Sequence, residues 1–233
     1  QQAAEAFFQG DLQKGERFQS AAKASESSAS GLKSVSYALE KALEAEAEGK
    51  QEIATSRKNS AIQDQVAANW YQQAAEAFFQ GDLQKGERFQ SAATASASSA
   101  RSLCFAFHPL EKALKAKAEG KQEIATLWKN AATQYQVAAN WYQQATEAFF
   151  QGDPEKGELF RSAANAARTS AGRLEESSKA LEKALKADSQ GKQEVATAYK
   201  NSATQYQLLA DWYCQGAETL FQGDSEKGTR FQS

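Results

Sequence analysis

Small and apolar side chains return along residues 18–43 in steps of 4, 3, 4, 3, 4, 3 and 4: Phe18, Ala22, Ser25, Ala29, Leu32, Ser36, Leu39 and Leu43. This alternation is the heptad pattern of a long helix with one buried stripe. It recurs as Phe89, Ala93, Ser96, Ala100, Leu103, Phe107, Leu110 and Leu114, then as Phe160, Ala164, Ala167, Ala171, Leu174, Ser178, Leu181 and Leu185. A second kind of segment repeats it with Ile124, Trp128, Ala131, Tyr135, Ala138, Tyr142, Ala145 and Phe149. That segment carries a further stripe, Val66, Trp70 and Ala77, which returns as Val137, Trp141 and Ala148 and as Leu208, Trp212 and Thr219. Two stripes on one helix predict neighbours on two sides. Ala and Ser in the middle of the seam predict close helix approach, near the short end of the roughly 8–10 Å interaxial range.

Glycine punctuates the pattern. GDLQKGERF and GDPEKGELF place Asp before a helix start, and Pro154 follows Asp153 where a proline's missing N–H is harmless. Asp11, Asp82, Asp153 and Asp224 are thus predicted N-caps. Turns are expected at Gly10, Gly49, Gly81, Gly120, Gly152, Gly191 and Gly223, because glycine alone readily takes the left-handed conformation that ends a helix. Between turns lie alternating segments of about 35 and about 30 residues, and such short turns force antiparallel neighbours. Pro109, Gly31 and Gly172 interrupt the longer segment, yet the heptad phase runs through them. The spacing therefore predicts one helix there, kinked near His108.

The stretch QQAAEAFFQGDLQKGERFQSAA stands at Gln1 and again, unchanged, at Gln72; variants begin at Gln143 and Cys214, a constant period of 71 (72−1, 143−72, 214−143). A fixed period of this size marks a repeat architecture. The units are 1–10, the end of a preceding repeat; 11–81, 82–152 and 153–223, three full repeats; and 224–233, the start of a truncated fourth. The expected fold is all-α, each repeat a long antiparallel helical hairpin, the hairpins stacked as an α-solenoid. Phe18, Phe89, Phe160, Trp128, Tyr135, Trp141, Leu181 and Tyr206 are the expected core.

Residues Trp70, Phe78, Phe79, Gly81, Asp82, Gly86, Phe89 and Ala93, within WYQQAAEAFFQGDLQKGERFQSAA, resemble a tetratricopeptide hairpin. The resemblance covers about a third of each repeat, and that family's own period is about 34 residues. It implies a helix-turn-helix solenoid and, as a function, a scaffold that binds a protein or peptide.

Composition narrows the function classes. The formal charge is −2 with both signs interleaved, which leaves no basic footprint for nucleic acid. No apolar run approaches the roughly 20 residues of a membrane-spanning helix. His108 is the sole histidine and stands where the sister copies have Tyr37 and Lys179, so neither a catalytic triad nor a histidine metal site can be assembled. Cys104 replaces Lys33 and Glu175, and Cys214 replaces Gln72 and Gln143, positions expected at the surface. EGKQ lacks the upstream Gly and following Ser or Thr of a phosphate loop. Asp11 with Glu16 suits a helix N-terminus better than paired acid–base chemistry. The Trp-Tyr pairs at 70–71, 141–142 and 212–213 fall on stripes assigned to packing rather than to stacking bases or sugars.

No catalytic, cofactor-binding or metal residue is therefore nominated. The expectation is a non-enzymatic structural or interaction protein that pairs with itself or with a protein partner, as a secreted or cell-surface assembly. With no methionine in the sequence, a processed chain or a segment of a longer array is expected. Because 1–20 and 214–233 share one phase of the repeat, the array is expected to continue or to stack end to end.

Overall fold

The computed structural model describes residues 2–9 and 11–221. Among them the chain forms only helices and tight turns: α1 Gln2–Phe8, α2 Leu12–Ala47, α3 Gln51–Gln80, α4 Leu83–Phe105, α5 Phe107–Ala118, α6 Gln122–Gln151, α7 Pro154–Ser189 and α8 Gln193–Phe221. The major contacts join each arm to the next along the chain, α2 on α3, α3 on α4, α4 and α5 as one broken arm on α6, α6 on α7, α7 on α8.

Local chemistry sets the ends. The Asp11, Asp82 and Asp153 carboxylates each accept the backbone N–H three residues on, from Lys14, Lys85 and Lys156, all at 3.0 Å. Positive φ occurs at Gly49, Gly81, Gly120, Gly152 and Gly191. At Gly81, φ 90°, the N–H closes on the Phe78 carbonyl and the next N–H, of Asp82, on Ala77. Gly10, Gly223 and Asp224 lie outside the described residues, as does the segment 224–233.

The longer segment behaves differently from copy to copy. Helices α2 and α7 run unbroken through Gly31 and Gly172. In the second copy the helix breaks at Ala106, two residues before the expected kink at His108, so that arm is two helices rather than one. Pro109 then sits in the first turn of α5, where its missing N–H orphans no carbonyl. Ala106 keeps the break narrow, since its N–H is shared between the Ser102 and Leu103 carbonyls at 3.2 Å each.

The main correction concerns which stripe of α2 is buried. The seam Phe18, Ala22, Ser25, Ala29, Leu32, Ser36, Leu39, Leu43 does not face α3: Leu32, Leu39 and Leu43 are 46%, 44% and 64% exposed. Contact with α3 runs instead along the adjacent stripe, Ala21, Ala24, Ser28, Gly31, Ala38, Ala42 and Ala45. Its counterpart on α4 and α5 is Ala92, Ala95, Ser99, Ser102, Ala106, Pro109, Ala113 and Ala116. Every member is small or a proline. The Ser28, Ser99 and Ser170 hydroxyls donate to the carbonyls of Ala68, Ala139 and Ala210, each at 2.9 Å across the helix pair. A hydroxyl reaches a neighbouring helix's carbonyl only when the backbones are nearly in contact, which the small residues permit.

The leucine seam has a different use. On α4 and α7 it faces the preceding helix: Ser56 and Ser60 of α3 donate to the Leu103 and Ala100 carbonyls at 3.3 and 3.0 Å. Leu103, Leu110 and Leu174 are correspondingly buried. At the far end of the seam, Leu114 and Leu185 stay exposed like Leu43. Of the expected core, Phe89, Phe160, Trp128 and Tyr135 are buried; Phe18, Trp141, Leu181 and Tyr206 are half-buried.

These two stripes differ in what they tolerate. We expect Ser28→Leu to cost about 1–3 kcal/mol by overpacking the α2–α3 contact. The same side chain one residue on, Ala29→Leu, should change stability by no more than about 0.5 kcal/mol. Urea unfolding of both variants decides, and equal costs would return the hairpin contact to the leucine seam.

Candidate binding groove

Stripe residues Arg57, Ser60, Asp64, Ala67 and Tyr71 on α3 form the floor of a groove of about 630 Å³. Its walls are α2, through Ser27, Ser30, Gly31 and Ser34, and α4, through Ala97, Ala100, Arg101 and Cys104. The helices can hold a groove open here because α2 and α4 pack on α3 and scarcely touch each other.

The corresponding stripe on α6 shows why this space is empty of protein. There the floor is Trp128, Ala131, Tyr135, Ala138 and Tyr142, all buried. Trp128 donates its indole N–H to Glu182 at 3.3 Å and Tyr135 its hydroxyl to Glu175 at 3.0 Å, both on α7. Tyr142 donates to Asn165 at 2.6 Å. From the other side Phe105 packs on Tyr135 at 5.8 Å and His108 meets Trp128 edge-on at 5.9 Å. Burial first, then the Glu175 carboxylate, pushes the Tyr135 hydroxyl well above its usual range, so it stays protonated as a donor. In the first copy Arg57 stands for Trp128, Asp64 for Tyr135, Ser34 for Phe105 and Cys104 for Glu175. Short or charged groups replace large rings, and the groove opens.

Its electrostatics are unusual for this chain. Lys33, Arg57 and Arg101 line the groove against one carboxylate, Asp64. The Arg57 guanidinium lies 4.3 Å from the centre of the Phe107 ring, which orients it, while its Nε–H is buried with no hydrogen-bond partner. Asp64 takes no hydrogen bond or ion pair among the described residues. Burial pushes its pKa up to about 6, against the opposing pull of Arg101. Burial also raises the Cys104 thiol, which keeps it protonated and a poor nucleophile.

The remaining sequence candidates stay scattered. His108 is exposed, and no group of three or more His, Cys, Asp or Glu among the described residues is placed to hold a metal. Cys214 is half-buried, its thiol 3.6 Å from the Gln134 side-chain oxygen, and burial raises its pKa too. Trp70 and Trp141 pack rather than stand open as a ladder: Trp70 lies 5.5 Å from Phe89 and 4.7 Å from Phe150, and Trp141 lies 5.9 Å from Phe160. Trp212 is 53% exposed. Glu16 belongs with the Asp11 cap at the start of α2. No helix among the described residues is long and apolar enough to cross a membrane. Arg57 and Asp64 were not singled out from the sequence. Aligning the copies reveals them, since Arg57, Trp128 and Tyr199 share one position, and Asp64, Tyr135 and Tyr206 another.

Asp64 gives the groove a measurable pH dependence. Because its folded pKa lies above the ordinary 3.8, the protonated form contributes stability that is complete below about pH 4 and lost as pH rises through about 6. For a half-exposed carboxylate, screening reduces the effect to about 1 kcal/mol. Asp64→Asn should therefore be more stable than the parent by about that amount at pH 8, with the gap closing at pH 4. A gap that does not vary with pH would show that Asp64 ionises freely. The chain matches no family model and no curated protein.

Proposed function

We propose that this protein is a non-enzymatic structural or interaction repeat protein, its 71-residue units stacked as an α-solenoid within a longer or end-to-end assembling helical array. One observation carries it. Leu103 and Leu110 are 6% and 5% exposed beneath α3, whereas Leu32 and Leu39, at the same positions on α2, are 46% and 44% exposed. The outer face of α2 thus offers the surface that α4 and α5 bury against a neighbouring helix. On α8, Leu208 and Trp212 are likewise exposed at 45% and 53%. An apolar face this long on a surface helix marks a contact site. A contact between two different faces of one chain is heterologous and propagates into a filament unless it closes into a ring.

A second reading, a scaffold for a protein or peptide, is favoured by the groove over α3. The absence of a nominated reaction is part of both proposals.

Self-assembly is tested on the chain itself. Light scattering across a concentration series, with negative-stain microscopy, should show elongated species heavier than the 25.3 kDa protomer. Leu32→Glu with Leu39→Lys should return it to a monomer without loss of helicity. A parent chain that stays at 25.3 kDa at every concentration would end the end-to-end form of the proposal.

A further inference from the structure

The two grooves of this chain differ in where their carboxylates come from. Over α6 the protein supplies them itself, Glu175 and Glu182 on α7 accepting from Tyr135 and Trp128. Over α3 the floor donor at the Trp128 position is Arg57, and the wall position of Glu175 is Cys104. A cation replaces the indole; the Glu175 carboxylate is lost, while Glu111 keeps the Glu182 position without lining the groove. We propose that the α3 groove binds a short acidic peptide segment in extended form, one of whose carboxylates takes the place beside Arg57 and Arg101 that Glu175 fills in the neighbouring groove. This rests on the second reading above and names its partner.

Charge complementarity selects the occupant. Lys33, Arg57 and Arg101 against Asp64 leave the lining with a net charge of +2 (3−1), in a chain whose overall formal charge is −2. Arg57 is preorganised by the Phe107 ring and holds a buried N–H that lacks an acceptor. An arginine so held recognises a planar carboxylate with little further ordering. Asp64 would repel that carboxylate, but burial has already pushed its pKa up to about 6, so it takes a proton readily as an anion arrives. The groups facing it are Lys33 on α2, Arg57 on its own helix, and Arg101 and Cys104 on α4.

Shape selects the form. From Arg57 to Tyr71 the floor is about 21 Å long, which an extended chain spans with about six residues. Ser27, Ser30, Gly31, Ala97 and Ala100 keep the walls low enough for a backbone to lie between them.

The test uses the full chain and fluorescein-labelled hexaglutamate, read by anisotropy at about 150 mM salt, where long-range attraction is screened. Saturable binding is expected, weaker by at least about tenfold in Arg57→Gln and in Arg101→Gln. Lys117→Gln, an exposed cation away from the groove, should bind as the parent does. Arg57→Trp, Asp64→Tyr and Cys104→Glu together give this groove three of the four residues that close its neighbour; they should abolish binding and raise the thermal midpoint. Circular dichroism confirms folding of each variant, and Arg57→Gln alone still decides if the triple variant misfolds.

Hexaglutamine and hexalysine separate this inference from the reading beneath it. If either binds the groove as tightly as hexaglutamate, the acidic partner is wrong while a peptide scaffold stands. If none of the three binds, both fall. Binding of a single-stranded oligonucleotide in place of hexaglutamate, lost in Arg57→Gln, would overturn it in favour of a nucleic-acid ligand.

Discussion

The serine hydroxyl that crosses from one helix to the carbonyl of the next is the contact on which the rest of this molecule depends. Ser28, Ser99 and Ser170 each bridge 2.9 Å to an alanine carbonyl 40 residues further on. A single such bond is worth only about 1 kcal/mol. Its importance is geometric, because it forms only if the flanking residues are small. Helices pressed this closely expose their larger residues to the two sides, and those sides meet the neighbouring hairpins.

That division explains how much was legible in the sequence. Turns and caps were readable because their chemistry is local: an aspartate and a glycine decide a helix end from within three residues. The leucine stripe was readable as a stripe, but on α2 it is exposed rather than buried. Ala21 and Ala22 are adjacent, and two heptad patterns offset by one residue run side by side along α2. Ranking positions by apolarity favours the one that contains Leu32, Leu39 and Leu43. The stripe of alanines and serines beside it buries less area per residue yet makes the closer contact, and periodicity carries no term for that. Nor does periodicity see that α2 has no earlier hairpin among the described residues to cover its leucines.

The groove was hidden for another reason. Arg57 and Asp64 keep the spacing of the stripe and change only its chemistry, so a search for periodicity passes over them. Side by side with Trp128 and Tyr135 they stand out, because one hairpin fills a space that another leaves open. In a chain built from near copies, difference between copies is more informative than likeness. The copy that departs most from the shared packing is where a role other than packing has room.

Contacts made mostly between neighbouring arms of the chain also govern how this protein responds to force. Pulling on its ends loads the hairpins largely in series, with only a few side-chain contacts, such as Trp70 on Phe150, reaching past the next helix among the described residues. Each hairpin can yield on its own, releasing a length of chain while its neighbours hold, and can close again from purely local pieces. Extension would proceed as a staircase of partial openings rather than one rupture, giving the molecule the mechanics of a spring made of separate clips.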